Sequence, residues 1–230
     1  MVLAIGCQSI SQETVPPAPD PPKDSSAGLP IPPEVREAFT AQFESMMVNF
    51  GEVGAHEMMD KYKGLSLFPF LASYVQDEAK SGNGRVRAMF CLALTKDQGV
   101  LPILHEFVDT LAKPRREKPS RNDYILLHGA LLALGQTRTD EAVGILTRVA
   151  RREFWGEDLS AYECEVFGGD GVAYVHHMRR MALEGIAMSG TERAIELFKR
   201  DDPLCTEFKS ELPSLRALAK RRQKGIIRVR

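Results

Sequence analysis

Apolar residues between positions 124 and 150, YILLHGALLALGQTRTDEAVGILTRVA, recur at three- and four-residue intervals on both sides of a short polar break. Ile125, Leu127, Ala130, Leu131, Ala133 and Leu134 put a stripe along one side of a helix, and Gly135 is placed where a helix-ending glycine would stand. Beyond the break, Thr139 can cap a second helix, Asp140 and Glu141 suit its first turn, and Ala142, Val143, Ile145, Leu146 and Val149 form its stripe. Two helices cannot bury both stripes between them, so further helices of the same kind are expected.

The pattern does recur. VRAMFCLALT (86–95) matches the first helix 40 residues earlier, and RRMALEGIAMSG (179–190) matches it 54 residues later. The helices that follow also share a pattern in LFPFLASYV (67–75), VLPILHEFV (100–108), AVGILTRVA (142–150) and AIELFK (194–199). Pro69 and Pro102 fall in first turns, where proline is tolerated. No region alternates apolar and polar residues as strands would, so the expected class is all-α. These repeats resemble the HEAT-repeat family, in particular the short bacterial HEAT-like units first noticed in phycobilisome lyases, over roughly residues 65 to 200. The resemblance implies a short right-handed α-solenoid, an armadillo-like superhelix of about four antiparallel helix pairs.

Around the repeats the chain changes character. MVLAIGC resembles the lipobox of bacterial lipoproteins, which implies acylation of Cys7 and a lipid anchor in the cell envelope, with an unanchored cytoplasmic protein as the alternative. The start lacks a basic region and a full-length apolar region, so it reads as a truncated signal. Through residue 33 the sequence is rich in Pro, Ser and Asp and has too few large apolar groups to offset the entropy of ordering it, which predicts a disordered linker. Residues 34–64 follow Pro33, a proline suited to a first helical turn, carry Phe39, Phe43, Met46, Met47 and Phe50 at helical spacing, and are expected to cap one end of the stack. HEAT-like repeats then occupy 65–207, and a basic helix and tail occupy 208–230.

One long interruption, residues 152–177, breaks the repeat spacing. It holds Phe154, Trp155, Tyr162, Phe167 and Tyr174, and aromatic residues on such an insertion are candidates for partner binding. The competing reading is that Ser160 and Glu163 cap a small extra helix whose aromatics plug the stack.

Charge narrows the class of partner. A formal net charge of −1 at pH 7 argues against whole-molecule attraction to nucleic acid. Two basic stretches remain, KPRREKPSR (113–121), where Ser120 and Asp123 can form a capping box, and residues 220–230. Each reads as a solvated segment or as a contact for an anionic membrane surface or an acidic partner.

Candidate chemistry is sparse. Cys7, Cys91, Cys164 and Cys205 form no CxxC pair, and Cys91 sits on a helix stripe as a small core residue. Glu163, Cys164, Glu165, Asp170, His176 and His177 are close in sequence but share no known ligand spacing. Deoxyhypusine hydroxylases, which are HEAT-repeat enzymes, bind iron through His-Glu pairs. His128 matches the histidine, but Gly129 stands where glutamate is needed and Ala88 and Ala182 replace the histidine in the sister repeats. His128 is therefore expected to be a capping or partly buried histidine. No metal, cofactor or catalytic residues are expected, and the parsimonious role is a non-enzymatic protein-interaction scaffold. The alternatives are a HEAT-like protein with catalytic or metal- or cofactor-dependent activity, and an unanchored cytosolic adaptor.

Overall fold

The computed structural model describes residues 29–45, 51–113, 118–199 and 203–225. Cys7, the Cys205 side chain, residues 114–117 of the first basic stretch and residues 226–230 of the second lie outside them, as do Met46, Met47 and Phe50. The described chain is all-α: α1 (Pro33–Glu44), α2 (Glu52–Lys61), α3 (Phe68–Gln76), α4 (Gly82–Leu94), α5 (Val100–Leu111), α6 (Arg121–Gln136), α7 (Asp140–Ala150), α8 (Gly171–Ser189), α9 (Glu192–Lys199), α10 (Pro203–Thr206) and α11 (Leu212–Gln223). Between α7 and α8 lie three 3-10 turns, Arg152–Trp155, Ser160–Tyr162 and Glu165–Phe167. Extended pairing among the described residues is limited to one isolated bridge between Leu29 and Leu65, which docks the end of the expected linker and leaves Ile31 buried.

Local signals set the helix starts. Pro33 opens α1, and Ser120 and Asp123 form a reciprocal capping box on α6. The Thr139 hydroxyl accepts the Ala142 N–H at 3.2 Å to start α7. The boundaries differ in two places. Residues 171–177 belong to the first turns of α8, so the insertion is shorter than expected. Gly135 lies inside α6, which runs to Gln136.

Helices α4, α6 and α8 pack successively against one another as a central row. Helix α3 packs on α4, α5 on α6, and α7 on α8, so each pairs with the row helix that follows it. Thus α7, joined to α6 by the tight turn, packs chiefly on α8. Helices α1 and α2 cover α4, and α11 covers α8 and α9. Row helices bury most of their circumference, as Ala88, Cys91, Leu92, Leu127, Ala130, Leu134, Ala182 and Ile186 show. The α6–α8 crossing is close because Gly135 faces the Gly185 backbone, and a Cβ at either glycine would meet carbonyl oxygen of the other helix.

The last carbonyls of a helix have no partner within it and need an outside donor. Here donors come from side chains on other elements. Arg87 bonds the Phe43 carbonyl at the end of α1, at 2.7 Å. The Nε of Arg85 donates to Val75 at the end of α3, and that of Arg179 to Ala150 at the end of α7, both at 2.8 Å. Arg216 serves α9 through Phe198 at 2.7 Å. At the end of α5 the Tyr162 hydroxyl donates to Ala112 at 3.2 Å. Arginine at these sites also meets the negative end of the helix dipole.

Two helices distant in the chain meet. Glu52 at the start of α2 and the buried Arg222 of α11 form a bidentate ion pair across 170 positions. Arg138 adds a bond to the Arg222 carbonyl at 2.6 Å and one to Ser189 at 3.3 Å. Arg222 of the basic C-terminal stretch is thereby used within the fold.

Two glycine substitutions test the packing of the row. Gly135→Ala inserts a methyl against the α8 backbone and should lower unfolding free energy by about 1–3 kcal/mol. Gly144→Ala on α7 meets only the Arg193 guanidinium at 3.7 Å. It should be neutral or stabilising by roughly 0.5–1 kcal/mol through helix propensity. Urea denaturation measures both, and equal effects would refute the close α6–α8 crossing.

Candidate functional site

The insertion folds inward, which corrects the expectation for three of its five aromatic residues. Trp155, Tyr162 and Tyr174 are 1%, 1% and 0% exposed and cannot meet a partner while the fold is intact. The physical cause is that each ring has a place in the core, and two of the polar groups have backbone partners there. Trp155 Nε1 donates to the Val149 carbonyl at 2.8 Å and the Tyr162 hydroxyl to Ala112. Trp155 meets Tyr162 edge-on with ring centroids 5.1 Å apart, and Tyr162 stacks with Tyr174 at 6.3 Å. Phe154 is partly buried, edge-on to Trp155 at 5.4 Å and under the Arg148 guanidinium at 5.5 Å. The expected extra helix is a single 3-10 turn, with the Ser160 hydroxyl bonded to Asp158.

Phe167 remains partly exposed and joins a cluster the sequence did not single out. Tyr124 and His128 stand one turn apart on α6, and His177 faces them from α8. Ring centroids are 5.8 Å apart for Tyr124–His128, 5.6 Å for Tyr124–Phe167, 5.7 Å for His128–His177 and 5.3 Å for Phe167–His177. The Tyr124 hydroxyl lies 3.4 Å from His177 Nε2. All four rings are partly buried, and beside them in the chain Val166 and Val172 are 43% and 63% exposed.

Burial pushes the His128 imidazole from the ordinary 6.5 down to about 4, with His177 and Arg180 adding repulsion. His177 is lowered for the same reasons, burial first and then Arg180 and His176. Tyr124 is raised by burial and by the neighbouring Cys164. At neutral pH the patch is therefore uncharged, with aromatic faces and imidazole nitrogens that can donate or accept hydrogen bonds.

The other candidate groups separate. His176 is exposed, stacks on Phe208 at 4.8 Å and lies 3.5 Å from Glu207. Glu163 pairs with Lys118 of the basic loop. Cys164 is a buried free thiol, as is Cys91, whose pKa burial raises far above the ordinary thiol value. Among the described residues no three His, Cys, Asp or Glu side chains gather in a way that could hold a metal ion. No described helix is long and apolar enough to cross a membrane.

The chain matches no family model, no curated protein sequence and no solved structure.

Sequence did carry one signal for this cluster. Tyr124 and His128 are four apart, which places them on one helix face, while the pairing with His177 needed the α6–α8 contact.

The lowered His128 value has a consequence for stability. The unfolded chain takes up its proton near pH 6.5 and the folded chain near 4, so stability is full above pH 6.5 and falls as pH drops through that window. Between pH 6.5 and 5 the wild-type protein should lose on the order of 2 kcal/mol from this group. His128→Gln should flatten that slope in urea titrations at several pH values. An unchanged slope would show that His128 is solvated.

Proposed function

We propose that this chain is a short right-handed α-solenoid of HEAT-like helix pairs that acts as a non-enzymatic protein-interaction scaffold. The observation that carries the reading is the patch of Tyr124, His128, Phe167 and His177, with exposed Val166 and Val172 alongside. Its rings are held by packing, so a partner would find them already ordered and binding would cost little side-chain entropy. Aromatic residues in partly desolvated sites contribute disproportionately to protein interfaces. The partner that fits presents an apolar segment with hydrogen-bonding groups for neutral imidazoles.

Support for the solenoid comes from the central row, in which α4, α6 and α8 repeat one sequence pattern and pack in succession. Acylation of Cys7 would tether this scaffold to the bacterial cell envelope by the Pro- and Ser-rich arm. Intact mass of the protein from its native host checks that part. An N-terminus at a lipid-modified Cys7 is expected, and an unmodified Cys7 preceded by its first six residues would remove the anchor.

The docking face is tested by placing a photo-crosslinking residue at Val172 and, as control, at exposed Glu141 on α7. Irradiation in the native host should give a discrete protein adduct at position 172 and none at 141. A second exchange, Val166→Asp, should reduce that adduct roughly tenfold with helical content unchanged, because an introduced charge opposes burial in an interface. Equal adducts at both positions, or none at 172, would refute the patch as the docking face.

A further inference from the structure

The repeat register that aligns Ala88 with Ala182 also aligns Arg85 on α4 with Arg179 on α8. Their surroundings match closely. Both guanidinium groups are buried, at 7% and 4% exposed. Each Nε donates to the last turn of the preceding helix at 2.8 Å, and each guanidinium lies over a phenylalanine, Phe107 at 5.2 Å and Phe208 at 5.4 Å.

They differ in one respect. The two terminal nitrogens of Arg179 grip Glu207, Nη1 to Oε1 at 2.8 Å and Nη2 to Oε2 at 2.6 Å. Among the described residues Arg85 has no such partner. Its one hydrogen bond to them is that to Val75, and Asp77 and Glu78 act on it through their fields. In place of a carboxylate there is a cavity of about 560 Å³, lined by Arg85 and Phe107 with Gln76, Thr110 and Asn122 among its polar groups. A buried arginine stays charged, and a fork that opens on a cavity offers two parallel donors to an incoming carboxylate. A cavity of this volume suits a small ligand or one side chain.

We propose that this cavity binds a carboxylate, which forms with Arg85 the two-pronged pair that Glu207 forms with Arg179. Three acidic residues, Glu78, Glu106 and Asp123, also line the cavity. Asp123 is tied to Ser120 in the α6 capping box, whereas Glu78 and Glu106 are exposed. They repel a bare dianion and favour a ligand whose carboxylate is followed by a positive group. The chemistry is that of a free amino acid, or of a glutamate next to a lysine in a peptide. The site shares no lining residue with the four-ring patch and stands whether or not that patch docks a protein.

Calorimetry with the purified chain tests this, using L-glutamate, the blocked dipeptide N-acetyl-Glu-Lys-amide, glutarate and sulfate as probes. Saturable binding of glutamate alone identifies a small zwitterion, and binding of the dipeptide alone identifies a peptide segment. Either result supports the site, with glutarate weaker than the better probe. Arg85→Lys keeps the charge but loses the fork and should weaken that binding roughly tenfold or more. Because Arg85 also holds the end of α3, a second readout uses the unmutated protein: the Arg85 Nε–H resonance should shift on titration. Failure of both glutamate and the dipeptide to bind or to shift it would overturn the proposal, as would sulfate binding with equal affinity.

Discussion

Helices that end inside a folded protein leave carbonyls that must find donors, and in this chain those donors tie the stack together. Arg87, Arg85, Tyr162, Arg179 and Arg216 serve the ends of α1, α3, α5, α7 and α9. Each tie joins one helix to a different element, so satisfying a backbone group also fixes a packing distance. An arginine is well suited to the task, because its charge meets the negative helix end while its flat face covers an aromatic ring. Without these ties the carbonyls would be buried without partners, at a cost comparable to the contacts that bury them.

The exception among the ties shapes the candidate site. In the α6 repeat the register position of Arg85 and Arg179 is taken by Ile125, which has no donor to offer. Tyr162 supplies the bond to the end of α5 instead, and it comes from the insertion. Holding Tyr162 there draws the insertion onto the core, and Trp155 and Tyr174 pack around it. Phe167, at the far end of the same segment, is brought beside Tyr124 and His177. The surface patch is thus a by-product of how one helix end is satisfied. Its neutral imidazoles follow from the same burial that places it between α6 and α8.

A second constraint acts between elements distant in the chain. The Glu52–Arg222 pair and the Arg138 bonds connect α2, the α6–α7 turn and α11. Both charges are largely withdrawn from water, and removing one partner would leave the other uncompensated. An arrangement in which only sequence neighbours touch would not bring these helices together, so the covering helices brace the row as well as shield it.

Much of this was legible in the sequence because it is local. The 3.6-residue spacing of apolar side chains determined that helices form, Pro33, Ser120 with Asp123, and Thr139 determined where three of them start, and Cys91 lay on a buried stripe. What tertiary structure decided were the matters that depend on a distant neighbour. Gly135 looks like a helix-ending glycine until α8 is seen crossing it, and Tyr162 looks like an exposed anchor until the Ala112 carbonyl, 50 positions earlier, is found at its hydroxyl. An aromatic ring with a polar atom is equally suited to an interface and to a core that offers it one hydrogen bond. Only the position of the unsatisfied helix ends, set by elements tens of residues away, chose between them.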